Sequence, residues 1–180
     1  INGIEELGIG CTVCAPDAQE ALPMLKVDEP TLTMNFCVNT SPLAGREGKF
    51  VTSRQLRDRL DRELKSNVAL RVKDTGDDTI FEVSGRGELH LTILVENMRR
   101  EGFELTVGKP EVLTKIVDGV THEPTERVTI DVPDEHVGSV TQLLGERRGR
   151  LEQMSNHGTG WVRLDYVVPA RGLIGFRTEF

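Results

Sequence analysis

Ser84-Gly85-Arg86-Gly87-Glu88-Leu89-His90-Leu91 closes a strand and opens a helix. An Arg-Gly pair stands at the matching place in the second half of the chain, Arg171-Gly172 in Pro169-Ala170-Arg171-Gly172-Leu173-Ile174-Gly175-Phe176. Working outward from each pair, the same order of elements precedes both: strand, helix, strand, strand, then the helix that the pair begins. The first copy ends in a further strand. The second reaches Phe180 just as its last helix starts. The reading is therefore α+β, two tandem βαββαβ (ferredoxin-like) units, the second truncated, preceded by a short β tail.

The patterns behind that order are local. Leu32, Met34, Phe36 and Val38 alternate with Thr33, Asn35 and Cys37, the period of a half-buried strand. After a loop from Asn39 to Phe50, Thr52-Ser53-Arg54-Gln55 reads as a capping box. Leu56, Leu60 and Leu64 then form one helical stripe. Val68, Leu70 and Val72 alternate, Asp74 to Asp78 turns, and Ile80 to Val83 returns. A helix follows Gly85 with Leu91, Leu94, Val95 and Met98 on one face and Gly102 as its stop. Phe103, Leu105 and Val107 close the unit.

Lys109 to Pro124 reads as an extended connection. The second unit opens with Val128, Ile130 and Val132, and Asp134 is placed to cap a helix carrying Val137, Val140 and Leu144 that ends near Gly149. A hairpin follows, Leu151–Met154 and Trp161–Val168, and Gly172 is expected to open the final helix. Ile1 to Glu29 belongs to neither unit; its glycines and short apolar runs suggest the tail of a β domain. With one sheet edge uncovered, the second unit is expected to self-associate unless the chain continues.

The 180 residues, 37% hydrophobic and 28% charged, suit one large or two small globular domains. No secretory signal and no apolar run of roughly 20 residues is present, which predicts a soluble, cytoplasmic chain with no membrane partner. Net charge is −7, but residues 44–73 hold nine basic and four acidic side chains. That segment is therefore at +5, and the remainder at −12. Such a basic face can steer a polyanion; pairs such as Asp58–Arg62 and Asp61–Lys65 on a solvated helix are the plainer explanation. Arg147, Arg148 and Arg150 form a second basic group, at a helix end that also favours cations. Neither group is interleaved with aromatics, which argues against base stacking and leaves phosphate contact with folded RNA. DNA readout is not indicated.

Chemistry is thin. Cys11, Cys14 and Cys37 are an odd set; Cys11-Thr12-Val13-Cys14 lacks a second ligand pair for zinc and reads as small, partly buried side chains. His90, His122, His136 and His157 share no metal spacing, and His90 reads as a satisfied helix residue. Gly45-Arg46-Glu47-Gly48-Lys49-Phe50 lacks the first glycine and the hydroxyl of a P-loop. The chain is thus expected to be non-catalytic and to hold no nucleotide or metal. An RNA-recognition (RRM) reading fails because Leu173 and Ile174 stand where its motif needs an aromatic and a small residue. The sequon Asn39-Thr40-Ser41 lacks a secretory context.

Ser84 to Leu91 is similar to the third-domain signature of elongation factor G and its relatives. Phe36-Cys37-Val38-Asn39-Thr40-Ser41-Pro42, Gly48 to Arg54, Glu96 to Glu104 and Arg163 to Phe176 resemble one branch, the BipA (TypA) family of ribosome-binding translational GTPases. The resemblance covers nearly the whole chain. It implies residues 1–29 as the end of a β-barrel domain, 30–108 as a ferredoxin-like domain III and 109–180 as an incomplete ferredoxin-like domain V. It implies a parent that hydrolyses GTP with Mg through a domain elsewhere, and a ribosome-contacting role here in translation, ribosome assembly or stress response. On that analogy Arg46, Lys49, Arg147, Arg148 and Arg150 are the candidate contacts to ribosomal RNA. Two other readings stand beside it: a tandem oligomerisation or regulatory module, and an acylphosphatase-type enzyme using Asn39 and Arg46 around a phosphate.

Overall fold

The computed structural model describes residues 9–23, 27–156 and 158–180. The chain divides into two compact units, Ile1–Lys109 and Pro110–Phe180. In the first, the elements run β1 (Leu32–Val38), α1 (Ser53–Ser66), β2 (Arg71–Asp74), β3 (Ile80–Gly85), α2 (Glu88–Glu101) and β4 (Leu105–Val107). The strands lie in the order β2-β3-β1-β4, each neighbouring pair antiparallel.

Register explains the core. Met34 faces Val83 and Phe36 faces Phe81, and partners across a ladder share a face. Leu32, Met34, Phe36, Phe81 and Val83 are therefore buried together, under Leu56 and Leu60 of α1 and Leu91, Leu94 and Met98 of α2. The opposite face carries Asn35, Glu82 and Lys73. The capping box at Thr52 and Gln55 is formed, and Gly102 ends α2 in the left-handed conformation. The strand expected from Val68 begins only at Arg71, because Asn67 to Ala69 form the turn that leaves α1 and Val68 stays exposed.

In the second unit a short strand β5 (Glu111–Val112) precedes a hairpin, β6 (Lys115–Val117) and β7 (Val120–His122). The extended connection expected here is thus folded back on itself. Its turn is Asp118-Gly119, both at positive φ (51° and 78°), the geometry that matches strand twist in two-residue hairpins. Then come β8 (Thr125–Pro133), a 3-10 turn at Asp134–His136, α3 (Val137–Glu146), β9 (Arg150–Asn156) and β10 (Trp161–Pro169). Their antiparallel order is β8-β10-β9. Ile130, Val132, Val162, Leu164, Tyr166 and Val168 are buried against Val140 and Leu144.

Two expectations fail here. Asp134 does not cap α3; it sits inside the 3-10 turn and accepts a hydrogen bond from Asn156 at 3.2 Å. Nor does Gly172 open an α-helix. Ala170–Leu173 is a 3-10 turn, and α4 (Phe176–Glu179) begins only after Gly175, whose φ of 68° interrupts the helix. Nearer the start, residues 9–23 contain one isolated bridge, Ala15 to Ala18, in place of the expected strands, and their apolar side chains Val13 and Leu22 are exposed. Residues 1–8 of the expected β tail lie outside the described residues.

Candidate nucleic-acid interface

The basic segment separates into cations that build the fold and cations that do not. On α1, Arg57 pairs with Asp61 at 3.1 Å and with Asp74 of β2, and its guanidinium lies over the Phe81 ring. Arg59 is buried; it donates to both oxygens of Glu101 at 2.6 and 2.7 Å and to Glu63 at 2.9 Å, joining α1 to α2. Arg71 donates to the carbonyls of Val68 and Leu70. The pairing therefore runs Arg57–Asp61 and Arg59–Glu63 in place of the expected Asp58–Arg62 and Asp61–Lys65. Tertiary contacts accompany it: Asp74 and Glu101, brought in by other elements, meet the same two arginines.

Arg46 and Lys49 stand apart. Both are exposed, and among the described residues neither side chain makes an ion pair or hydrogen bond. Their loop is nevertheless tightly held. The backbone N–H groups of Gly45, Glu47 and Gly48 all donate to the Glu104 carboxylate, at 3.0–3.2 Å, and the Asn39 side-chain amide donates to it at 2.5 Å. Lys49 and Phe50 N–H donate to the Gly102 carbonyl at 2.8 and 3.1 Å, Glu104 N–H returns to Phe50, and the Phe50 and Phe103 rings lie 4.7 Å apart. Gly48 is required: a Cβ there would stand 2.7 Å from that of Glu104.

Burial alone would push the Glu104 carboxyl up. The N–H of Gly48, the Asn39 amide and the N–H groups of Glu47 and Gly45 outweigh it and hold the group below the ordinary carboxylate range. Convergent amides of this kind form an anion-binding nest, and here the anion comes from the chain itself. The acylphosphatase reading needs the cradle open and Asn39 available; both are taken by Glu104.

The second unit treats its three predicted arginines differently. Arg147 is turned inward: its guanidinium donates to the carbonyls of Gly172 (2.7 Å) and Ile174 (3.0 Å), pairs with Glu179 at 2.9 Å and lies over the Phe176 ring. Its place is in the scaffold. Gly172 lets it approach, since a Cβ there would meet the Arg147 carbonyl oxygen at 2.6 Å.

Arg148 and Arg150 are exposed. Arg148 ends α3 at φ 62°, its N–H bonded to the Gly145 carbonyl and that of Gly149 to Leu144, a Schellman closure that usually holds glycine at this place. Val167 pairs with Arg150 on one side and Arg127 on the other, so both arginines lie on the sheet face away from Tyr166 and Val168. Glu152 serves both, at 3.2 and 3.4 Å. Arg127 escapes a reading of the sequence because no arginine stands beside it; only the cross-strand register brings it to Arg150.

The remaining groups are quiet. Cys11 and Cys14 are exposed among the described residues, contrary to the partly buried reading. The His90 ring accepts from Arg86 N–H and meets the Asn67 amide at 2.9 Å, a satisfied histidine. His157 lies outside the described residues. Among the described residues no helix is long and apolar enough to cross a membrane, and no group of three or more His, Cys, Asp or Glu is disposed to hold a metal.

Comparison with known proteins adds to this geometry. Residues 120–180 match the family described as elongation factor G C-terminus. The whole chain aligns, at 62% identity, with the large ribosomal subunit assembly factor BipA of Salmonella typhimurium and of Escherichia coli K12. By sequence the chain is similar, over all of its 180 residues, to proteins named BipA. The Bacillus subtilis member is 57% identical over the same 180 residues, so the likeness holds across distant bacteria. The chain spans about 30% of the length of these relatives. A solved structure from Thermus thermophilus overlaps 86% of this chain and 38% of its own, at 14% identity and a TM-score of 0.47, too slight a likeness to support an argument.

Proposed function

We propose that this chain is a non-catalytic, ribosome-contacting segment of a BipA-type assembly factor for the large ribosomal subunit, working in the cytoplasm. Identity of 62% over all 180 residues to part of proteins named for that task carries the reading. The exposed, unpaired Arg46 and Lys49 on a rigid loop supply the chemistry for it, because fixed cations bind RNA phosphate without reading sequence. In this reading both units are ferredoxin-like. Residues 1–29 belong to a barrel domain, 30–108 form domain III, and 109–180 belong to domain V. GTP and Mg belong to other parts of the parent protein, and each unit passes on their effect by moving as a rigid domain. Arg148 and Arg150, joined by Arg127, form the second contact group.

Co-sedimentation with large ribosomal subunits over a salt series tests the proposal. Association is expected to weaken steeply between about 50 and 200 mM salt. Arg46→Glu with Lys49→Glu, and separately Arg148→Glu with Arg150→Glu, are expected to weaken it and flatten the salt slope by about 1 for each lost contact. A chain that fails to pellet with ribosomes while self-associating independently of salt would favour an oligomerisation module. That second reading rests on the outer edge of β8, which no strand covers among the described residues, and on the apolar groove of Val132, Pro133, Leu143, Trp161 and Phe180.

A further inference from the structure

We propose that Glu104 is the positioning residue of the basic loop, its carboxylate filling a nest of loop amides so that Arg46 and Lys49 are held ready for RNA phosphate. The inference rests on the RNA-contact reading above and adds to it a residue that touches no RNA.

The loop from Asn39 to Phe50 has no regular secondary structure. A loop of this length samples many conformations unless something fixes it, and each immobilised residue costs backbone entropy. Glu104 fixes it at three backbone points, Gly45, Glu47 and Gly48, which bracket Arg46 on both sides. The turn that delivers Glu104 also supplies the Gly102 carbonyl that anchors Lys49. Both cations thus ride on a backbone organised by one short stretch of the chain, Gly102 to Glu104. Charge-assisted bonds from N–H to carboxylate are the strong kind, and a loop already held in its bound shape loses less entropy when it binds.

Electrostatics makes the idea sharp, because it predicts the opposite sign. Glu104 is a negative charge bonded to the backbone of the loop that carries two cations seeking phosphate. On charge alone, deleting it should tighten RNA binding. If its work is positional, deleting it should loosen binding.

The test uses the intact chain, a transcript of large-subunit ribosomal RNA, and Glu104→Ala, Glu104→Gln and Arg46→Glu/Lys49→Glu variants. RNA affinity is measured at constant ionic strength, and the amide NMR signals of Gly45, Glu47 and Gly48 are followed in parallel. Glu104→Ala is expected to bind about five- to tenfold more weakly, with those three amides moved toward random-coil positions. Glu104→Gln, which keeps one acceptor oxygen, should fall between. Formate, exchanged for chloride at equal ionic strength, should enter the vacated nest and restore part of both signals.

Unchanged or tighter RNA binding by Glu104→Ala, with the three amides displaced, overturns the inference. So does an undisturbed set of amides. Should Glu104→Ala fail to fold, Glu104→Gln decides on the same two readouts. If the Arg46→Glu/Lys49→Glu variant binds RNA as well as the parent, the RNA-contact reading fails at this loop and the inference falls with it. The amide signals still report, separately, whether Glu104 shapes the loop.

Discussion

Each unit is clasped by one arginine, and the two clasps are built from different partners. Arg59, with 8% of its side chain exposed, holds the carboxylates of Glu101 and Glu63 and so ties α2 to α1. Arg147, 17% exposed, holds two backbone carbonyls, at Gly172 and Ile174, and reaches the exposed Glu179 last. The first clasp joins two long helices by ionised side chains. The second fixes the turn before α4 through two of its backbone carbonyls. A guanidinium serves both tasks because its planar fork of donors fits paired carboxylates and adjacent carbonyls alike.

The comparison can be broken by truncation. Arg59→Ala leaves two carboxylates facing one another at a helix–helix seam, and a loss of about 3 kcal/mol is expected in urea unfolding of the first unit. Arg147→Ala orphans two carbonyls but leaves no concentrated charge, so about 2 kcal/mol is expected in the second unit. An equal or reversed order of these losses would show that the kind of partner does not matter.

The smallest effect is in pH. Burial tends to raise the Glu63 carboxyl, but bonds from Arg59 and Asn67 leave it below its ordinary value; Glu101 is lowered chiefly by its bond from Arg59. A carboxyl lowered in the folded state adds stability that is fully present above the unfolded value, about 4.3. That stability is lost as pH falls through the folded value. The α1–α2 seam should therefore loosen first on acidification, while the carbonyl bonds of Arg147 do not titrate there. Residue-resolved NMR from about pH 6 down to about pH 3 checks the order.

Much of the fold could be read from local pattern. The alternation at Leu32 to Val38, the Thr52–Gln55 box and Gly102 as a helix stop each depend on neighbours within a few residues, and each is found. The Asp118-Gly119 hairpin is legible by the same means, from a turn pair between alternating residues, although an extended connection was expected there. What could not be read depends on distance along the chain. Arg59 meets Glu101 across 42 residues, and Glu104 meets the loop amides across 56 to 59. No periodicity reports such a meeting. Arg147 and Arg148 are adjacent and identical in sequence, yet one is turned into the scaffold and the other out, because the chain reverses between them.

That reversal has a twin. α2 and α3 both close with the same two hydrogen bonds around one left-handed residue, Gly102 in the first unit and Arg148 in the second. An L-amino acid with a long side chain sits there against its own steric preference, so glycine at position 148 would relax the main chain while discarding a cation. Most charge deletions confound lost contact with lost integrity. At this one position the two move in opposite directions, and a weakened grip on the ribosome would report charge alone.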